Sequence, residues 1–227
     1  MRIEKIAIEA ENLGNDPIMM NSYRDFYNNK GYVLTKNSFL KDASPKISKF
    51  PNQAQFLYDW KHLFTNAQRV YLLDLSGVNE KDVNLKTYDK IKYASDMKWS
   101  NKYFVVNYGT NAIWACNIFV GEALFNAGYK FLNADKKYYS AKQIWNAEGP
   151  FKIVDKKNVK RGHIAAFNGS HVEIVTKVNR GQKLFDDDFC SRGVGRGPFD
   201  FGTEKCEGIF GNKREIDNEE IRFLTLR

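Results

Sequence analysis

Cysteine, histidine and proline are all scarce in this sequence, and each shortage narrows what the chain can be. Its three cysteines, Cys116, Cys190 and Cys206, cannot all pair within one molecule, so at least one thiol is free or bonds to another chain. Cys190 and Cys206 can be partners in an oxidising compartment, which leaves Cys116 free. The cysteines and the three histidines, His62, His163 and His171, form no Cys-x-x-Cys or His-x-x-x-His pair, so the sequence offers no close-spaced metal-ligand set. Only five prolines interrupt the chain. No apolar run of membrane-spanning length occurs, which argues against a membrane span. Met1 to Ala10 mixes charges among isoleucines and lacks the continuous apolar stretch of a signal peptide. An activity outside the cytoplasm therefore calls for a non-classical or specialised export route.

Apolar and aromatic residues, by contrast, are plentiful. Hydrophobic residues make up 43%, with 17 Phe and 12 Tyr, a composition that builds a packed globule and excludes a disordered chain. The 227 residues suit one full-sized domain, or a catalytic core with a substantial N-terminal extension. A formal charge of +8 admits polyanionic partners: nucleic acid, anionic lipid or the acidic polymers of a bacterial envelope. The basic residues are spread as Lys156-Lys157, Lys160-Arg161, Arg192, Arg196 and Lys213-Arg214, the distribution of a solvated surface.

Asp16-Pro17 opens a helix, the aspartate as cap and the proline preset for the first turn, and Gly31 closes it after Ile18, Met19, Tyr23 and Phe26. Phe56, Leu57, Trp60, Leu63 and Phe64 give a second helical stripe, while Asn79 to Met97 reads as mixed helix and loop. The texture changes near Trp99-Ser100-Asn101, which sets the expected division into a mainly helical extension over 1–99 and a catalytic region over 100–227. Tyr103 to Val106 is strand-like. From Trp114 to Ala127 the positions of Cys116, Phe119, Val120, Ala123 and Leu124 are helical, with Gly128 as a left-handed stop. Ser140 caps a short helix carrying Ile144 and Trp145. After Pro150 the pattern turns to strands at Phe151–Val154, His163–Phe167, His171–Val178, Lys183–Ser191 and Ile221–Leu226. Asn168-Gly169-Ser170 and Asn179-Arg180-Gly181-Gln182 supply hairpin chemistry between the second, third and fourth. The expected class is α+β, a cysteine-bearing helix followed by an antiparallel meander.

A cysteine nucleophile works as its thiolate, which the first turn of a helix favours, and Cys116 falls in such a turn. The competing reading makes Cys116 a small apolar residue on a buried helix face. Histidine is the natural base for a thiol. His62 sits among Trp60, Leu63 and Phe64, as a structural or surface residue would. His163 and His171 both open strands of the meander. In His171-Val172-Glu173-Ile174-Val175-Thr176, alternation places His171, Glu173 and Val175 on one face. The stretch Ser191-Arg192-Gly193-Val194-Gly195-Arg196-Gly197 lacks the Lys-Ser/Thr ending of a phosphate loop and reads instead as a basic loop beside the cleft.

The segment Ala115-Cys116-Asn117-Ile118-Phe119-Val120, followed downstream by Gly169-Ser170-His171-Val172-Glu173-Ile174-Val175, resembles the NlpC-type and CHAP-type peptidoglycan hydrolases over residues 100–227. The resemblance implies a papain-like core and a thioester mechanism cutting amide bonds of peptidoglycan stem peptides, as endopeptidase or amidase, with no cofactor and no metal. It makes Cys116 the nucleophile and His171 the base, with the third, orienting group in the strand of Asp188. Asp186 and Ser191 are the alternatives there. Tyr108 resembles the tyrosine that helps bind the oxyanion in some members, and Asn117 and Arg192 are expected near the substrate. The flanks differ from the usual pattern: Ala115 stands for aspartate, Asn117-Ile118 for serine-glycine, and Gly162-His163 for Gly-Asp, which keeps His163 a rival histidine. Such departures are similar to those of secreted amidase toxins, which imply a possible immunity protein as partner and action in the periplasm or cell wall. Acyl transfer or isopeptide cleavage on the same fold is one alternative. A non-catalytic polyanion-binding module is another, with salt-dependent nucleic-acid binding as its signature.

Overall fold

Helix α6 (Cys116–Asn126) is apolar nearly all round, burying Cys116, Ile118, Phe119, Val120, Gly121, Ala123 and Leu124, and a helix of that kind has to sit at the centre of its fold. Its one acidic residue, Glu122, is also buried and accepts a 2.7 Å hydrogen bond from the Tyr138 hydroxyl. Gly121 makes room for that tyrosine, since a Cβ there would lie 2.3 Å from the ring. The computed structural model describes residues 2–28, 31–40, 52–96, 102–108, 115–183, 186–195, 201–207 and 214–227.

The chain divides into two units, Met1–Met20 with Trp114–Arg227, and Asn21–Ile113. In the first, six strands form an antiparallel sheet: β3 (Phe151–Val154), β4 (Ile164–Phe167), β5 (His171–Asn179), β6 (Asp188–Val194), β7 (Phe201–Lys205) and β8 (Ile221–Leu226). Their order is β3-β8-β4-β5-β6-β7. The hairpin between β4 and β5 turns at Asn168 and Gly169, with φ of 50° and 68°, the positive values that such a tight turn needs. Helix α1 (Arg2–Gly14) packs on α6 and on β5, β6 and β7, while α6 itself covers β5 and β6. Arg161, just before β4, grips Glu11 of α1 with both terminal nitrogens at 2.6 and 2.8 Å, a bidentate fork. The short helix α7 (Ala141–Trp145) packs on β4, β5 and β8, and opens with a Ser140–Gln143 capping box. Val159, Ala165, Val175, Phe189, Ile216, Ile221 and Phe223 form a buried cluster on the sheet. Each fully buried side chain of this size contributes about 1.5–3 kcal/mol.

The second unit pairs β1 (Tyr32–Thr35) with β2 (Phe104–Asn107) as an antiparallel ribbon. It adds helices α3 (Gln53–His62), α4 (Asn66–Ser76) and α5 (Tyr88–Asp96); Phe56 of α3 meets Trp60, Phe64 and Tyr88 of α5 in ring contacts, and α4 packs on α5. Helix α2 (Pro17–Asn28) crosses from the first unit into the second. The architecture is mixed α+β, with seven α-helices and two antiparallel sheets among the described residues. The expected boundary at Trp99-Ser100-Asn101 lies outside those residues. The observed division differs from 1–99 and 100–227, because α1 packs with the C-terminal sheet and β2 pairs with β1. No helix among the described residues is long and apolar enough to cross a membrane.

Candidate active site

Cys116 is the first residue of α6, and Ala115 before it supplies no side-chain cap. The first-turn amides of a helix have no partner within it, so this end can receive negative charge on a sulfur or on an oxygen bound to it. The Cys116 thiol is free and buried, whereas Cys190 and Cys206 are joined by a disulfide.

His171 opens β5 directly after the Asn168-Gly169 turn and lies close enough to the Cys116 side chain for the two to interact electrostatically. Its Nε2 lies 2.8 Å from Glu173 Oε1, so Nδ1 is the ring nitrogen left for the sulfur. Burial alone would pull this imidazole down, but the bonds to Cys116 and Glu173 and the charge of Glu173 raise its pKa to about 9. Through the neutral range His171 is thus an imidazolium.

Glu173 is fully buried, and every hydrogen-bonding position of its carboxylate is engaged. Oε1 takes His171 and Lys205 Nζ at 3.1 Å, while Oε2 takes the Ser191 hydroxyl at 2.6 Å and the Arg214 guanidinium. Arg214 also donates to Ser191 Oγ at 2.6 Å and stands over the Phe167 ring at 5.3 Å. Complete burial would push the Glu173 carboxyl up. The His171 bond and the Arg214 and Lys205 charges overcome it and hold the group well below the usual carboxylate range. Gly193 on β6 leaves the space this side chain fills, since a Cβ there would lie 2.7 Å from Glu173 Cγ.

The orienting group is therefore two residues from the histidine on its own strand. Asp188 is elsewhere: it pairs with Asn179 at the far end of β5 and accepts from the Asn179 amide, eight residues from His171, or roughly 25 Å along an extended strand. Asp186 lies in the turn at that same far end, accepting from the Lys183 amide at 3.3 Å. Ser191 does reach the site, because a register shift between Val175 and Lys177 sets it opposite Val175, but it touches Glu173 and not the imidazole. Sequence alternation had already placed Glu173 beside His171.

The other expected residues are dispersed. Arg192 ties the fold together, donating to Asn15 Oδ1 at 3.0 Å and to the Gly202 carbonyl at 2.9 Å, and residues 191–194 are strand rather than loop. Arg196 and Gly197 lie outside the described residues. Asn117, the second residue of α6, is half-buried and lines a small apolar void with Val120, Leu124 and Phe131. Tyr108 belongs to the other unit, edge-on to Phe26 at 6.3 Å. His163 is buried at the opposite end of β4, its Nδ1 accepting from the Lys160 amide at 3.1 Å. Burial, then Lys160, lowers its pKa to about 4. His62 is exposed against Tyr58.

A scan against protein-family models finds none that matches this chain, and comparisons with curated proteins and with solved structures also find no match.

Proposed function

We propose that this chain is a cysteine hydrolase with a papain-like core that cleaves amide bonds in peptidoglycan stem peptides. The observation that carries the reading is that His171 meets the Glu173 carboxylate and lies beside Cys116, the first residue of α6. A half-buried histidine given both a thiol and a fully satisfied carboxylate is arranged to move a proton, which a purely structural histidine does not require.

In the proposed reaction the Cys116 thiolate attacks the scissile carbonyl carbon, and the carbonyl electron pair moves onto oxygen, where the first-turn amides of α6 stabilise it. The tetrahedral intermediate collapses as the C–N bond breaks. His171 gives its proton to the departing amine, leaving a thioester on Cys116. Water then attacks the thioester with His171 taking one proton, the acid product departs, and the imidazolium–thiolate pair is restored. Glu173 stays ionised throughout and fixes the ring orientation. The substrate class rests on the resemblance of the segments around Cys116 and His171 to NlpC-type and CHAP-type enzymes, and the net charge of +8 suits an anionic envelope polymer. The Cys190–Cys206 disulfide favours action in an oxidising compartment, in line with an exported antibacterial effector and an immunity partner.

The test is incubation of purified protein and its Cys116→Ala variant with purified peptidoglycan, reading new amines and released fragments by mass spectrometry. The wild type is expected to release them, and the variant to fall to background, a loss on the order of 10⁶-fold for removing a covalent nucleophile. Equal release by both would sink the assignment.

A further inference from the structure

The disulfide has a specific position relative to the site. Cys190 precedes Ser191 on β6, Cys206 follows Lys205 on β7, and Ser191 and Lys205 are cross-strand partners. Both donate to Glu173. Arg214, the third residue holding that carboxylate, is hung from the same place: its amide donates to the Cys206 carbonyl at 3.4 Å and its Nε to the Glu207 carbonyl at 3.2 Å. All three supports of Glu173 other than His171 thus lie beside one covalent bond, and the Arg214 carbonyl also accepts from the Phe189 amide of β6 at 3.0 Å. The disulfide joins β6 to the end of β7, the last strand of the sheet among the described residues. Cys190 is buried, and Cys206 is exposed.

We propose that the Cys190–Cys206 disulfide is a redox latch on the catalytic dyad, closed when oxidised and released by a dithiol reductant. The proposal rests on the reading of Cys116 and His171 given above. A reductant thiolate attacks the accessible sulfur of Cys206, the S–S bond breaks, and Cys190 leaves as a thiolate that takes up a proton. The reductant's second thiol then displaces Cys206, so the protein gains two thiols and the dithiol becomes a cyclic disulfide. With the latch open, the ends of β7 and of the segment bearing Arg214 are held to β6 by backbone hydrogen bonds alone. Lys205 and Arg214 then lose the covalent anchor that fixes them on Glu173, while Ser191 stays in place between β5 and β7. Ser191, Lys205 and Arg214 act as positioning residues. The consequence is an enzyme held idle in a reducing cytoplasm and switched on in an oxidising compartment.

The experiment reads Cys116 itself and needs no substrate. Full-length protein is compared oxidised, reduced with dithiothreitol and desalted, and as the C190S/C206S double variant. Iodoacetamide labelling of the Cys116 peptide is followed by mass spectrometry, with amide hydrogen exchange in parallel. Cys116 labelling at pH 7 is expected to slow about tenfold in both latch-open forms, the scale of effect for a misplaced catalytic group, while protection in β3, β4, β5 and β8 persists. Reoxidation of the reduced wild type restores the rate, which keeps the test sound even where the double variant does not fold. Equal labelling in all forms overturns the latch, as does loss of protection across the whole sheet on reduction, which would make the bond a staple of the fold. If labelling depends on His171 and on the disulfide while peptidoglycan stays uncut, the substrate class falls and the latch stands. Labelling of oxidised protein that is indifferent to His171→Ala removes the dyad, and the latch with it.

Discussion

Two histidines flank the same hairpin and live in opposite electrostatic worlds. His171 begins β5 across from Phe167, and His163 precedes β4, its carbonyl accepting from Val175, four residues or roughly 13 Å further along. Both are largely buried, and burial disfavours the charged ring in each. His171 is offered a thiol and a carboxylate, and its pKa rises to about 9; His163 is offered an amide donor and the Lys160 charge, and falls to about 4. What makes one of them a candidate proton carrier is therefore not burial or strand position but the buried carboxylate beside it, itself held ionised by Lys205 and Arg214.

Glu173→Gln breaks that comparison most directly. It removes the charge that keeps His171 protonated and leaves two buried cations without their counter-ion, a change that costs about 3–5 kcal/mol in comparable buried pairs. Chemical denaturation should report the loss. In the pH profile of the proposed peptidoglycan cleavage, the alkaline limb should move from near 9 down toward the ordinary histidine value. An unmoved limb would separate Glu173 from His171. The linkage has a definite sign in the wild type. Because the folded pKa of His171 is raised from 6.5 to about 9, its stabilising contribution is complete below 6.5 and disappears as pH climbs through 9. The groups that set it are Cys116 on α6, Glu173 on β5 and, through Glu173, Lys205 on β7 and Arg214.

His163→Asn sharpens the contrast from the other side. A ring whose pKa drops from 6.5 to about 4 on folding binds its proton more readily in the unfolded chain, so stability is lost as pH falls from 6.5 toward 4. Asparagine keeps an acceptor for the Lys160 amide and does not titrate. The variant should flatten the acid side of the stability curve, measured by thermal melts between pH 4 and 7, with Cys116 labelling unchanged. A fall in labelling would reinstate His163 in the site.

Asp188→Asn should do least. Its carboxylate pairs with Asn179 in a half-exposed position, where one such hydrogen bond contributes about 0.5–1.5 kcal/mol, and activity should be retained. Loss of activity comparable to that of Glu173→Gln would return Asp188 to the role the family resemblance implied for it.

Much of the fold was legible because local chemistry and periodicity carried it. Asp16-Pro17 does cap and open α2, Ser140 caps α7, and the strands at Phe151–Val154 and Ile221–Leu226 are where alternation put them. Helix α1 was overlooked although Ile6, Ala7, Ala10 and Leu13, all buried, recur at helical spacing. Strand β7 was missed for a different reason: Phe201–Lys205 is short and contains Gly202 and two charged residues, so no alternation marks it.

The sequence by itself determined the chemistry available: a cysteine at a helix start, a histidine opening a hairpin strand, and a glutamate on the same face, since a period of two leaves no choice of side. Only the tertiary structure decided which acid serves the histidine. That depended on the β5–β6 register and on bringing Lys205 and Arg214, distant in the chain, around a single buried carboxylate. A carboxyl group's charge state is set by the donors and charges surrounding it in space, and those neighbours are not written in its local sequence.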